Sequence, residues 1–247
     1  MSKLTEKDFI DIRDEIKNGR LSPARIRGGL GVFMFFSLLA VGIAYMAANA
    51  SNSVIGWENL SSFWKSVFIL EAVLFFFQLA IIIFIHGKSN WSQIVLTISY
   101  VFYTYKMALD PFVAMSMFAK DRGVYEIFAP LIILIIIMGF LLHLFLVWRS
   151  FKGIKKEKHN SSEKSGKPLY VFIPVLFLLV SVTGYIIKND LLGENDVLAG
   201  MGIFTFLYIA LLIGAVEFVK AAYCVIRFPS FRVNPLNTSQ LKKTNQV

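Results

Sequence analysis

The sequence predicts an all-α polytopic transmembrane bundle of about six spanning helices, with the N- and C-termini both cytoplasmic. Three observations predict it. The 247 residues are 56% hydrophobic and 15% aromatic with few charges, a composition well above that of ordinary water-soluble domains. The apolar residues fall in runs of about 20, the length that crosses a hydrocarbon core as a helix. The net charge of +9 is gathered between those runs, above all in Arg149–Lys167, where Arg149, Lys152, Lys155, Lys156, Lys158, Lys164 and Lys167 follow one another. Short loops rich in Lys and Arg stay on the cytoplasmic side, so this loop orients every other segment.

Residues 1–28 are expected to form a cytoplasmic amphipathic helix with a basic lead. Thr5 can cap it, with Asp8 completing a capping box, Leu4 and Phe9 at staple spacing, and Gly19 at its end. Phe9, Ile12 and Ile16 share a face, while Asp8, Asp11, Asp14 and Glu15 would be repelled by anionic lipid; docking on the protein is therefore expected over lying on the membrane. The first span, Leu30–Ala48, runs outward and is lightened by nearby Gly28, Gly29, Gly31 and Gly42. Ala48-Asn49-Ala50 has the small-residue pattern of a signal-peptide cleavage site, but the capped helix in front argues for an uncleaved span.

Ser51–Lys65 forms an outer loop with Trp57, Phe63 and Trp64 at the interface, and Ser66–His86 returns inward. The turn His86–Asn90 is short, so the second and third spans are expected to be antiparallel neighbours. The third span starts near Trp91 and meets Lys106, then Asp110-Pro111. The expectation is that it breaks at Pro111 and that the Met-rich stretch Phe112–Phe118 lies at the interface, with Lys106 and Asp110 paired near the outer boundary. Ile127–Trp148 crosses inward and completes a first membrane region over residues 29–148. The basic loop occupies 149–168, two further spans at Leu169–Ile187 and Ala199–Ile226 occupy 169–226, and a basic tail occupies 227–247. Three spans in each half would suit an inverted repeat, but the halves share no defensible similarity.

Polar groups within the apolar runs are the candidate site, because each asks for a partner in hydrocarbon. Glu71 and Gln78 share a face of the second span; Lys106 pairs with Asp110; Glu217 and Lys220 stand three apart on the last. Met115 and Met117 would offer an adaptable outer surface. His143 stands alone and is expected to be satisfied by a hydroxyl or backbone group rather than to sense pH. Cys224 cannot form an intrachain disulfide and reads as a small buried hydrophobe.

No catalytic residues, cofactor or metal ligands are expected. Nucleophile-elbow, zincin and P-loop motifs are missing, and three histidines, one in a loop, build no metal centre. The cations flank membrane runs rather than a soluble face, which argues against a nucleic-acid partner. The expected function is non-enzymatic: a multi-pass protein of a bacterial inner membrane that binds another membrane protein or a membrane-inserted toxin. Its most concrete form is an immunity protein against a pore-forming toxin, by analogy with small polytopic bacterial proteins. The alternatives are a transporter or permease subunit using Glu71, Gln78 and Glu217, and an assembly or sensory subunit working through the basic loop.

Overall fold

The computed structural model describes residues 4–49, 56–153 and 196–233. Among them the chain is helical without strands, and four helices are long and apolar enough to cross a membrane. A short 3-10 turn (Glu6–Phe9) leads into α1 (Ile10–Lys17), followed by α2 (Pro23–Asn49), α3 (Ser62–Phe84), α4 (Asn90–Asp121), α5 (Tyr125–Gly153) and α6 (Asp196–Arg227). The four membrane-length apolar helices are α2, α3, α5 and α6. The predicted span Leu169–Ile187 and the basic loop beyond Gly153 lie outside the described residues.

The N-terminal segment forms as its local chemistry dictates. Thr5 and Asp8 build the capping box, the Thr5 amide donating to Asp8 Oδ2 at 2.8 Å. Phe9 and Ile16 are buried against Phe151, Tyr223 and Phe228, so α1 docks on the end of the bundle. The first long helix begins at Pro23, ahead of the predicted Leu30, because proline at a first helical position gives up an amide that has no partner there.

The main departure is α4. It runs unbroken through Pro111 for 32 residues, about 48 Å, where the sequence predicted a break and an interfacial stretch. Proline removes one hydrogen bond and crowds the preceding turn, a local cost of about 3 kcal/mol. Packing on several sides outweighs it: half of the residues of α4 are buried, against three of the 29 in α5. α4 is the central helix, in contact with α2 and α6 along its length; α3 packs on α2, and α5 on α6. A helix wrapped by protein needs no continuous apolar surface, so α4 can carry Lys106 and Asp110 in its middle.

Burial of Met115 and Met117 follows from this. Met115 packs with Phe112, Ile132 and Tyr208, and Met117 with Ala44, Ala48 and Trp64. Neither offers an outer surface, which corrects the sequence reading. The short turn at Gly87, whose φ of +70° suits glycine, does make α3 and α4 antiparallel. Their main chains nevertheless hardly approach, because α3 leans on α2, and the two helices meet through long side chains such as Tyr103, whose hydroxyl donates to the Leu74 carbonyl at 2.9 Å.

Since lipid is as apolar as leucine, close fit and cross-helix hydrogen bonds hold such a bundle together. Gly139 lets α5 approach α6 so closely that an added Cβ would collide with the Tyr208 ring, and the Tyr208 hydroxyl donates to the Ile136 carbonyl at 2.8 Å. Thr97, Thr104 and Thr205 satisfy their hydroxyls on the carbonyl four residues back.

Candidate functional site

Four polar side chains from three helices converge inside the bundle. Ser37 stands near the middle of α2, Glu71 in the first half of α3, and Lys106 and Asp110 on successive turns of α4. The Lys106 ammonium donates to both Asp110 oxygens at 3.0 Å and to the Ser37 hydroxyl, and Ser37 in turn donates to Asp110 Oδ2. Glu71 Oε2, a buried atom, lies against the same ammonium as an ion pair.

The sequence predicts the Lys106–Asp110 pair at i,i+4, and the two are paired. Because α4 continues to Asp121, the pair sits mid-helix rather than at a helix end, and Asp110 is only 1% exposed. Side-chain exposures of 7% for Lys106 and 12% for Glu71 put all three charges in a low-dielectric setting. There each charge needs a partner or a proton. The three groups together carry one surplus negative charge when all are ionised.

A cavity of about 510 Å³ lies beside the cluster, between α2 and α3. Its floor holds Ser37, Glu71 and Lys106; its walls are apolar. Leu38, Tyr45, Ile69 and Phe76 line it while remaining more than 40% exposed, so the cavity is a groove that opens sideways on the outside of the bundle. Tyr45, Trp57 and Phe68 close one end as a trio of rings with centroids 5.3 to 5.8 Å apart.

The other candidates go elsewhere. Gln78, on the same face of α3 as Glu71 but two turns on, donates to the Leu30 carbonyl at 2.9 Å and joins α3 to α2. Glu217 pairs with Arg20 rather than with the half-buried Lys220, which the i,i+3 spacing had suggested. The competitor comes from the connection between α1 and α2, where Arg20 also lies 3.7 Å from Glu15. His143 donates from Nδ1 to the Leu212 carbonyl at 2.8 Å, which leaves Nε2 to accept from the Tyr105 hydroxyl at 2.6 Å. That arrangement describes a neutral, fully satisfied imidazole joining α5, α4 and α6.

Sequence reasoning missed Ser37 and the association of Glu71 with Lys106. Ser37 has no signal, since a serine in an apolar run passes for a small packing residue. The ionic association had one: a lone carboxylate and a nearby cation on adjacent spans each required a partner, and they have opposite signs. Among the described residues no group of three or more side chains is arranged to hold a metal ion.

No protein-family model matches the sequence, and no curated protein or solved structure matches it either.

Proposed function

We propose that this is a non-enzymatic multi-pass membrane protein that works as a transporter or permease subunit, with the Ser37–Glu71–Lys106–Asp110 cluster as its working site. One observation carries the reading: an ion-paired cluster of charged side chains, Glu71 and Lys106 among them, borders a groove that opens on the outside of the bundle, halfway along membrane-length helices. Ionisable groups at that depth are costly and characteristically lie on substrate or proton paths, and transport sites gather near the midplane. Of the three residues first considered for a path, only Glu71 faces the groove; Gln78 and Glu217 are engaged in holding the bundle.

The membrane is taken to be the inner membrane of a bacterium. The end of the bundle that carries α1 also bears Arg13, Arg20, Arg25, Arg27, Lys88, Arg149, Lys152, Arg227 and Arg232, which supports a cytoplasmic position for it by the distribution of positive charge. The test is a deletion strain in pure culture, read by a membrane-potential dye and by solute accumulation. Transport requires a change that the parent gene restores and Glu71→Ala does not.

A second reading is favoured by the sideways opening and its ring-lined end. A helix of another membrane protein, or of an inserted pore-forming toxin, would meet that groove within the bilayer, and the protein would then neutralise it as an immunity protein. Loss of potential only in co-culture with toxin-producing cells would support this reading over transport.

A further inference from the structure

Two neighbouring helices, α5 and α6, run the same way. Tyr208 of α6 lies against Ile136 and Gly139 of α5, the Leu212 carbonyl accepts from His143, and the Tyr223 ring meets Phe151, so residue numbers rise together along the pair. By contrast, α3, α4 and α5 reverse direction at tight turns, at Gly87 and at Gly123. Gly153 therefore ends α5 at the end of the bundle that carries α1, where Phe151 meets Phe9, and Asp196 begins α6 at the opposite end. With Tyr223 level with Phe151, a rise of about 1.5 Å per residue puts Gly153 and Asp196 about 40 Å apart along the axis.

Residues 154–195 join those two ends and have to pass the hydrocarbon between them. A single segment in lipid satisfies its own amide and carbonyl groups only as a helix. The connection holds one apolar run of spanning length, Leu169–Ile187, which as a helix would measure about 28 Å against a core of about 30 Å.

The lengths of the two links choose its place. Residues 154–168 lead from α5 into the run, and residues 188–195 lead from it into α6. The second link, of eight residues, is within the range of connections that join antiparallel neighbours in bundles, and the first, of fifteen, is beyond it. The neighbour is therefore α6. Two of its faces are taken by α4 and α5. What remains is the exposed stripe of Leu198, Gly202, Phe206 and Ile213, whose spacing of four, four and seven residues puts them on one side of the helix. A Cβ at Gly202 would meet no atom within 4 Å, so another helix has room to approach there.

We propose that Leu169–Ile187 crosses the membrane antiparallel to α6 and docks on this stripe, so that α4, α5 and this segment together enclose α6. The basic link 154–168 then lies at the α1 end and the link 188–195 at the other. The proposal stands apart from the reading of the groove between α2 and α3, since no residue of α6 lines it.

The test uses the full chain in membrane vesicles of known orientation, with Cys224→Ala removing its one thiol. Ser161→Cys in the first link and Asn189→Cys in the second are labelled separately with a membrane-impermeant maleimide. Labelling from opposite sides is expected; labelling of both from one side would overturn the crossing. Phe206→Cys is then paired with single cysteines at positions 175–181 and oxidised with copper phenanthroline. A disulfide needs Cα atoms within about 7 Å, so cross-links inside one chain should peak at positions three or four apart. Their yield should exceed by at least about tenfold that of the same set paired with Leu141→Cys on α5 or Val73→Cys on α3, both exposed. Ile213→Cys paired with cysteines at 168–173 repeats the test one level further along and covers a failure of the first set to fold. Absence of cross-links within the chain from both stripe positions in monodisperse protein would overturn the placement, as would equal yields from Leu141→Cys or Val73→Cys. Cross-links formed only between two chains would assign the stripe to a second copy and overturn it as well.

Discussion

Replacing Lys106 with methionine tests whether the charged cluster sits in a low-dielectric interior. Methionine keeps most of the length and volume of the side chain, so packing changes little while the ammonium disappears. Asp110 then loses both of its bonds from Lys106 and keeps only the Ser37 hydroxyl, and Glu71 loses its counter-charge. Removing one member of a buried ion pair costs about 3 to 5 kcal/mol, because the remaining charge stays buried without compensation. The triple variant Lys106→Met, Glu71→Gln, Asp110→Asn removes the whole charge set, and a fully neutral set is commonly close to the parent in stability. It should recover most of the loss. Reversible unfolding in mixed micelles, followed by tryptophan fluorescence, measures both. If Lys106→Met falls within about 0.5 kcal/mol of the parent, the range of an ordinary surface substitution, the cluster is hydrated and the reasoning fails. Failure of the triple variant to recover would show that the geometry of the bonds, not the charge, is what matters.

Other outcomes follow from single contacts. Glu71→Gln should leave stability within about 1 kcal/mol of the parent in the same unfolding assay, since Asp110 still neutralises Lys106, whereas Asp110→Asn should cost about 1 to 3 kcal/mol. Gly139→Val would force the Tyr208 ring away from α5 and should lower stability by about 1 to 3 kcal/mol, seen as a lower melting temperature in detergent. Phe9→Ala should release α1 without melting the bundle, so hydrogen exchange would speed up in residues 10–17 and stay slow in α4. Gln93→Leu removes a side chain that accepts from the Val233 amide at 2.8 Å and donates to the Phe231 carbonyl at 3.4 Å; limited proteolysis near Phe231 should accelerate.

Periodicity and length made most of the fold legible. Apolar runs of spanning length are readable because no other structure satisfies the backbone in hydrocarbon, and four of the six expected spans correspond to membrane-length apolar helices. The fifth falls outside the described residues. The third was misread, since Pro111 and two charges in an apolar run look like an ending when neighbours are unknown. Only tertiary packing tells that α4 is enclosed, and enclosure reverses the meaning of each signal: the proline is tolerated, the charges are buried, and Met115 and Met117 become core. The Lys106–Asp110 pair was visible because a helix brings i and i+4 together whatever surrounds it. Glu71 lies 35 positions before Lys106 in the chain, and no local rule reports that meeting. Glu217 shows the same limit in reverse, where the local partner Lys220 gave way to Arg20 from the far end of the chain.

The position of the cluster has one further consequence. A buried ion pair adds little net stability over an apolar replacement of the same shape, so stability alone gives no reason for Lys106, Asp110 and Glu71 to occupy the interior. Enclosing them fully would have been the cheaper arrangement. Instead α3 leans on α2 and leaves its approach to α4 to long side chains, and Glu71 and Lys106 border a groove reached from outside. Hydrocarbon beside a charged cluster is unfavourable unless something amphipathic fills the space. The same groove between α2 and α3 that makes the site costly therefore makes it accessible, and a side chain that narrows it without touching a charge separates the two effects. Ala72→Leu, on the groove wall next to Glu71, should block access of a ligand while leaving the Lys106–Asp110 bonds in place. Its unfolding free energy should stay within about 1 kcal/mol of the parent, as a substitution into open space does, while binding or transport that depends on Glu71 is lost. Retention of that activity at full stability would mean that the ligand reaches Glu71 by another route.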